Sequence, residues 1–103
     1  MARERLSNRR PALTFDLEVG GLRYTATVGR FPDGRIGEVF LNNHNSNSAA
    51  DVNARDAAIA FSFAVQHGAD ADAIRRALSR DSRGNASGPL GAALDVIAKE
   101  PAS

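Results

Sequence analysis

Two runs of alternating apolar and polar residues, joined through Gly20-Gly21, constrain this chain more than any other feature. Leu13, Phe15, Leu17 and Val19 point one way, while Thr14, Asp16 and Glu18 point the other. After the glycines, Leu22, Tyr24, Ala26 and Val28 alternate with Arg23, Thr25 and Thr27. Period-two alternation on both sides of a Gly-Gly pair predicts a β-hairpin with one buried face, closed by a primed turn. Phe31-Pro32-Asp33-Gly34 reads as the next turn, with proline presetting its own φ and glycine taking a positive one. Ile36 to Leu41 is the third strand. Its Val39-Phe40-Leu41 end is apolar on both faces, as if covered on both sides.

The pattern then changes period. Asn42 to Ser48 is a polar loop, and Ser48 is the expected N-cap of a helix, with Asp51 standing in for the glutamate of a capping box. From Ala49 to His67, Ala50, Ala54, Ala57, Ala58, Phe61, Ala64 and Val65 keep helical spacing. Ile59 and Phe63 widen that stripe, and from Ala57 to Val65 only Ser62 is polar. Such a helix is expected to be buried all round, with a second copy of itself as the preferred cover. His67 and Gly68 make its expected end. Asp70 caps a shorter helix over Ala71–Ser79, and Pro89 opens a last one running to Ala98. Three strands followed by three helices predict an α+β domain: a three-stranded antiparallel β-meander, then helices. Its expected extent is residues 12–99, between a flexible basic arm at 1–11 and a tail at 100–103.

A chain of 103 residues buries roughly two-thirds of its unfolded surface as one domain. Apolar residues make up 43%, but alanine carries much of that share and Trp is absent. An alanine-rich core brings backbones together and gains little transfer free energy per residue, so a homo-oligomer, at least a dimer, is the expected state. Net charge is +1, which argues against general nucleic-acid binding. Of the 13 basic residues all but Lys99 are Arg, a bias that fits either codon usage or anion recognition by guanidinium groups. Cysteine is absent, which removes disulfides, thiolate metal ligands and thiol chemistry. His44 and His67 form no helical ligand pair, so neither a metal nor another cofactor is expected. No apolar run is long enough for a membrane span. Ser7-Asn8-Arg9-Arg10 has the outline of a twin-arginine signal, but Asp16 and Glu18 interrupt the stretch that follows it. The expected compartment is the cytoplasm.

No nucleophile–base pair, mononuclear metal pattern or phosphate loop stands out, so no catalytic residue is assigned. Gly84-Asn85-Ala86-Ser87-Gly88-Pro89 is the most informative short stretch. It sets small residues before a helix N-terminus, where free N–H groups and the helix dipole suit an anion. Arg80 and Arg83 lie just upstream as countercharge. The candidate phosphate or anion ligands are therefore Arg80, Arg83, Asn85, Ser87 and Gly88, together with Asn43, His44, Ser46 and Ser48 at the other helix start. An ordinary capped helix start is the competing reading at each place.

Taken in order, these segments resemble the TSCPD domain, named for its Thr-Ser-Cys-Pro-Asp signature. That domain occurs at the C-terminal end of vitamin-B12-dependent ribonucleotide reductases and in small standalone proteins. Gly37-Glu38-Val39-Phe40-Leu41 is similar to the family's third strand. Asn47-Ser48 and the helix ending Gln66-His67-Gly68 fit its loop and central helix, and Ala73-Ile74-Arg75-Arg76-Ala77-Leu78 fits its second. Gly84 to Leu90 aligns with the signature, with Gly88 in place of Cys, Leu90 in place of Asp and Ala86 in place of Thr. Any thiol or metal role of the signature is lost with them. The resemblance implies a non-catalytic, oligomeric nucleotide-binding or regulatory module, with a nucleotide or nucleotide-derived signal as candidate ligand and a reductase as candidate partner. The alternative is a protein-interaction module without a small ligand, such as an accessory partner of a reductase. An independent reductase is excluded, since that chemistry needs several cysteines and a far larger barrel.

Overall fold

The computed structural model describes residues 2–100. Three strands, β1 (Ala12–Val19), β2 (Leu22–Arg30) and β3 (Ile36–Asn43), form an antiparallel sheet in the order β1-β2-β3. Three helices follow: α1 (Ala49–Gln66), α2 (Ala71–Ala77) and α3 (Pro89–Ala98). The expected α+β meander with trailing helices is what forms. Gly20 and Gly21 both have positive φ, at 61° and 77°, as a primed two-residue turn requires. Strand β3 runs two residues beyond Leu41, because Asn43 still pairs with Tyr24. The expected tail at 100–103 lies outside the described residues except for Glu100.

One face of the sheet carries the core. Tyr24, Ala26 and Val28 of β2 and Val39 and Leu41 of β3 are buried against α1 and α3. From α1 come Ala54, Ala58, Phe61 and Val65, and from α3 come Leu90, Ala93, Leu94 and Ile97. Helix α1 lies along β3, and α3 packs toward β1 and α1. Ala26 and Ala93 are wholly buried, so helices and sheet approach closely there. Gly91 lets α3 approach the loop before it, since a Cβ on it would stand 3.1 Å from the Ala86 Cβ.

Within one protomer α1 is buried on one side, so the chain's own elements do not supply the all-round cover expected of it. Val52, Ile59 and Phe63 are 45%, 54% and 49% exposed. The sheet and α3 cover one face of α1, and on the opposite side, among the described residues, the Arg3 guanidinium lies over the Phe63 ring at 4.7 Å from its centre. Phe40 is likewise 51% exposed, because its neighbours Val39 and Leu41 take the core face and strand geometry turns it to the other. Ser48 caps α1 as expected and accepts from the Asp51 N–H at 3.1 Å. The Asp51 carboxylate does not complete the capping box. It accepts instead from the Asn43 and Asn47 N–H groups at 2.9 and 3.0 Å, tying the helix start to the end of β3.

The basic arm makes specific contacts. The Glu4 N–H donates to the Gln66 carbonyl, Leu6 lies against Gly37, and Arg10 pairs with the buried Glu38. No helix among the described residues is long and apolar enough to cross a membrane.

Candidate functional site

The loop before α3 is a small closed hairpin. Arg80 and Ala86 bridge, Asp81 N–H donates to the Asn85 carbonyl, and Gly84 turns the chain at φ 83°. The Asp81 carboxylate accepts from the Arg83 and Asn85 N–H groups at 2.9 and 3.0 Å, and the Ser87 N–H donates to the Ser79 carbonyl. Three of the N–H groups expected to face an anion are thus spent inside the loop. Gly88 is the N-cap of α3 and supplies no side-chain bond.

Arg80 is spent as well. Its two terminal nitrogens grip the two Asp95 oxygens at 2.8 Å each, the fork geometry in which guanidinium meets carboxylate best. It also donates to the Gly84 carbonyl at 3.0 Å, so it pins the hairpin to α3. Arg75 reaches the same carboxylate at 3.2 Å. The hydrogen bonds from Arg80 first, then Arg75, hold the Asp95 carboxyl below its usual range. Arg83 is exposed, with no ion pair among the described residues.

At the start of α1 the residues also bond among themselves. The Ser48 hydroxyl donates to the Asn45 carbonyl at 2.7 Å, and the Asn43 side-chain oxygen accepts from the Asn45 N–H at 2.8 Å. The Asn43 side-chain nitrogen is buried without a partner. His44 lies 3.0 Å from the Thr25 hydroxyl, and Ser46 is exposed. Asn85 lines a polar cleft with Glu18, Asp95 and Lys99, and none of Asn43, His44, Ser46 and Ser48 shares it. Each candidate group is therefore bonded largely within its own surroundings, and no bond joins the two among the described residues.

A cleft of about 320 Å³ opens where the β2–β3 turn meets α2 and α3, over a floor of Ile36, Val65, Leu94 and Ile97. Its rim carries Arg30, Arg35 and Arg75 against Asp70, Asp72 and Glu100. The charges balance, so the cleft does not select an anion.

A second surface feature is apolar. Val52, Ile59 and Phe63 stand on one side of α1 at helical spacing, and Phe40 projects from the neighbouring strand. A groove of about 270 Å³ runs between Phe40 and Ile59, lined also by Leu41, Arg55 and Ala58. Sequence reasoning recognised the excess of apolar residues on this helix. It also marked Phe40 in the two-faced apolar end of β3, while the groove the two elements form is fixed by how α1 packs along β3.

Over 66 residues, 64% of its length, the chain is 41% identical to a vitamin B12-dependent ribonucleotide reductase of Agrobacterium fabrum. It is 34% identical over 70 residues to the enzyme of the same description in Bradyrhizobium diazoefficiens. This is a ribonucleotide-reductase-related domain. The chain spans only 5% and 6% of the length of those two relatives, so it is not a whole reductase. That coverage fits the small C-terminal domain that the sequence resembles. No family model matches the chain, and no solved structure matches it significantly.

Proposed function

We propose that this reductase-related domain is a non-catalytic assembly module that pairs with a second copy of itself through the face formed by α1 and β3. The observation that carries this reading is the exposure of Val52, Ile59 and Phe63 on one side of α1, with Phe40 of β3 sharing a groove with Ile59. Clustered apolar side chains of this size mark contact surfaces more often than solvated ones. An antiparallel pairing about an axis near Ala57 sets Val52 of each helix against Phe63 of the other. A nucleotide role draws less support, since Arg80 and the loop amides are already engaged. Similarity to a segment that the relatives carry within a reductase chain favours a second reading, in which a reductase occupies the same face.

Light scattering tests the first reading. The native chain should run as a dimer or larger at micromolar concentration, and Ile59→Asp should fall to a monomer that melts like the parent, because Ile59 is exposed in the protomer. A native chain that is a well-folded monomer overturns it. Retention of a purified reductase by the native chain, and not by Ile59→Asp, would transfer the face to the second reading.

A further inference from the structure

The two edges of the sheet are finished differently, and the difference points to a second contact. In the β1–β2 ladder, Val19 and Leu22 close the turn, so Leu13, Phe15, Leu17 and Val19 direct their backbone groups at β2. Ala12, Thr14, Asp16 and Glu18 direct theirs away from the sheet, and among the described residues nothing bonds the outward groups of Thr14, Asp16 or Glu18. Along β3 the outward groups belong to Gly37, Val39, Leu41 and Asn43. There α1 supplies partners: Gln66 to the Gly37 carbonyl, the Ser62 hydroxyl to both groups of Val39, and Asp51 to the Asn43 N–H. One edge is sealed by side chains except beside Leu41, and the other is open.

The open edge is also where the core is unfinished. Leu13 is 42% exposed, and Phe15, Leu17 and Val19 are only half-buried, while Tyr24, Ala26 and Val28 on the next strand are buried. Helix α3 has 10 residues, too few to cover the length of β1. The pairing of β1 with β2 runs straight, and the register shift lies at Gly29/Arg30 on the β3 side. No proline interrupts β1. A long straight edge with its backbone groups free is a template for another strand.

We propose that β1 pairs antiparallel with β1 of a second copy, about an axis through Phe15, joining two sheets into one of six strands. The inference extends the self-association reading to a second face and stands on the β1 edge alone. The apolar core face picks the occupant, since Leu13, Phe15 and Leu17 meet their counterparts, and strand overlap together with charge picks the register. Centred on Phe15, the pairing sets Thr14 opposite the partner's Asp16, Ala12 opposite its Glu18, and Leu13 opposite its Leu17, with the Phe15 rings adjacent. No like charges meet, a hydroxyl faces each Asp16 carboxylate, and the core face is apolar from end to end. A register centred on Asp16 sets the two Asp16 carboxylates against each other, which is unfavourable for directly opposed residues. In this arrangement each copy completes the other's core beyond Leu13 and Leu17.

The native chain lacks cysteine, so cross-linking reads the register directly. Residues 14 and 16 of opposite copies form hydrogen-bonded pairs, with Cα atoms about 5.5 Å apart, inside the range a disulfide spans. Thr14→Cys and Asp16→Cys are made as separate full-length chains, mixed in equal amounts and oxidised mildly. The expected product is a covalent heterodimer at least about fivefold over the homodimer of either chain, and melting curves confirm that both chains fold. A mixture that gives no heterodimer excess overturns the proposal, as does equal cross-linking by Asp16→Cys alone. Repeating the mixture on an Ile59→Asp background separates the two faces. Cross-linking that persists there supports an independent β1 contact. Its absence in all backgrounds, with the native chain still a dimer by light scattering, sinks the β1 contact and leaves the α1 face standing.

Discussion

Strands β1 and β3 are both edges of one sheet, yet only β3 is closed to further pairing. Helix α1 closes it with three side chains, Asp51, Ser62 and Gln66, set at intervals that return each to the strand side of the helix. Beside Leu41 the helix presents Ala58, which has nothing to donate, and a groove opens there. The N-terminal arm adds to the seal, with Arg3 donating to the Gln66 side-chain oxygen and Arg10 to Glu38. Among the described residues, strand β1 has no such cover, and its edge carries the exposed charges of Asp16 and Glu18. A sheet edge is therefore closed by polar side chains on a packed helix, and apolar packing against one face does not close it.

The sharpest way to break the contrast is to loosen the helix that makes it. Phe61 is 3% exposed, and Phe61→Ala should cost about 3–5 kcal/mol in denaturant titration. Ser62→Ala leaves both outward groups of Val39 without a partner under the helix, and should cost about 1–3 kcal/mol. Hydrogen exchange should localise that loss to β3 while β1 amides keep their rates. Asp51→Asn should lower the melting temperature by roughly 4–8 °C and speed exchange at Asn43 and Asn47.

The same carboxylate gives the β3 edge a pH dependence. Backbone donation from Asn47, then Asn43, holds the Asp51 carboxyl below its usual range. A lowered folded-state value contributes stability that is complete above the unfolded value, about 3.9, and is lost as pH falls through the folded one. Melting followed from about pH 6 to about pH 2 should lose this contribution in the native chain and show less acid sensitivity in Asp51→Asn. The smallest effect belongs to the open edge. Leu13→Ala should change protomer stability by less than about 1 kcal/mol, because that side chain is 42% exposed. A larger loss that grows with protein concentration would place Leu13 in a contact between copies.

Much of the fold was legible because its signals are local. Alternation around Gly20-Gly21, the Ser48 and Asp70 caps and Pro89 at a helix start each act within a few residues, and each element they mark is present. The candidate site was legible only as composition. Arg80 and the amides near Ser87 read as free for an anion because their partners, Asp95 and Ser79, come from other parts of the chain. Asp51 read as half of a capping box because its bond to Asn43 depends on where β3 ends. Ser62 read as one polar residue in an apolar stretch, with no sign that it lies against Val39.

Order, type and approximate length of the elements came from the sequence by itself, since period and turn chemistry are properties of neighbouring residues. Which side of α1 is covered, which sheet edge is sealed and which arginines are spent were decided by the tertiary structure alone. Those outcomes depend on distances between residues remote in the chain, and no local pattern encodes them.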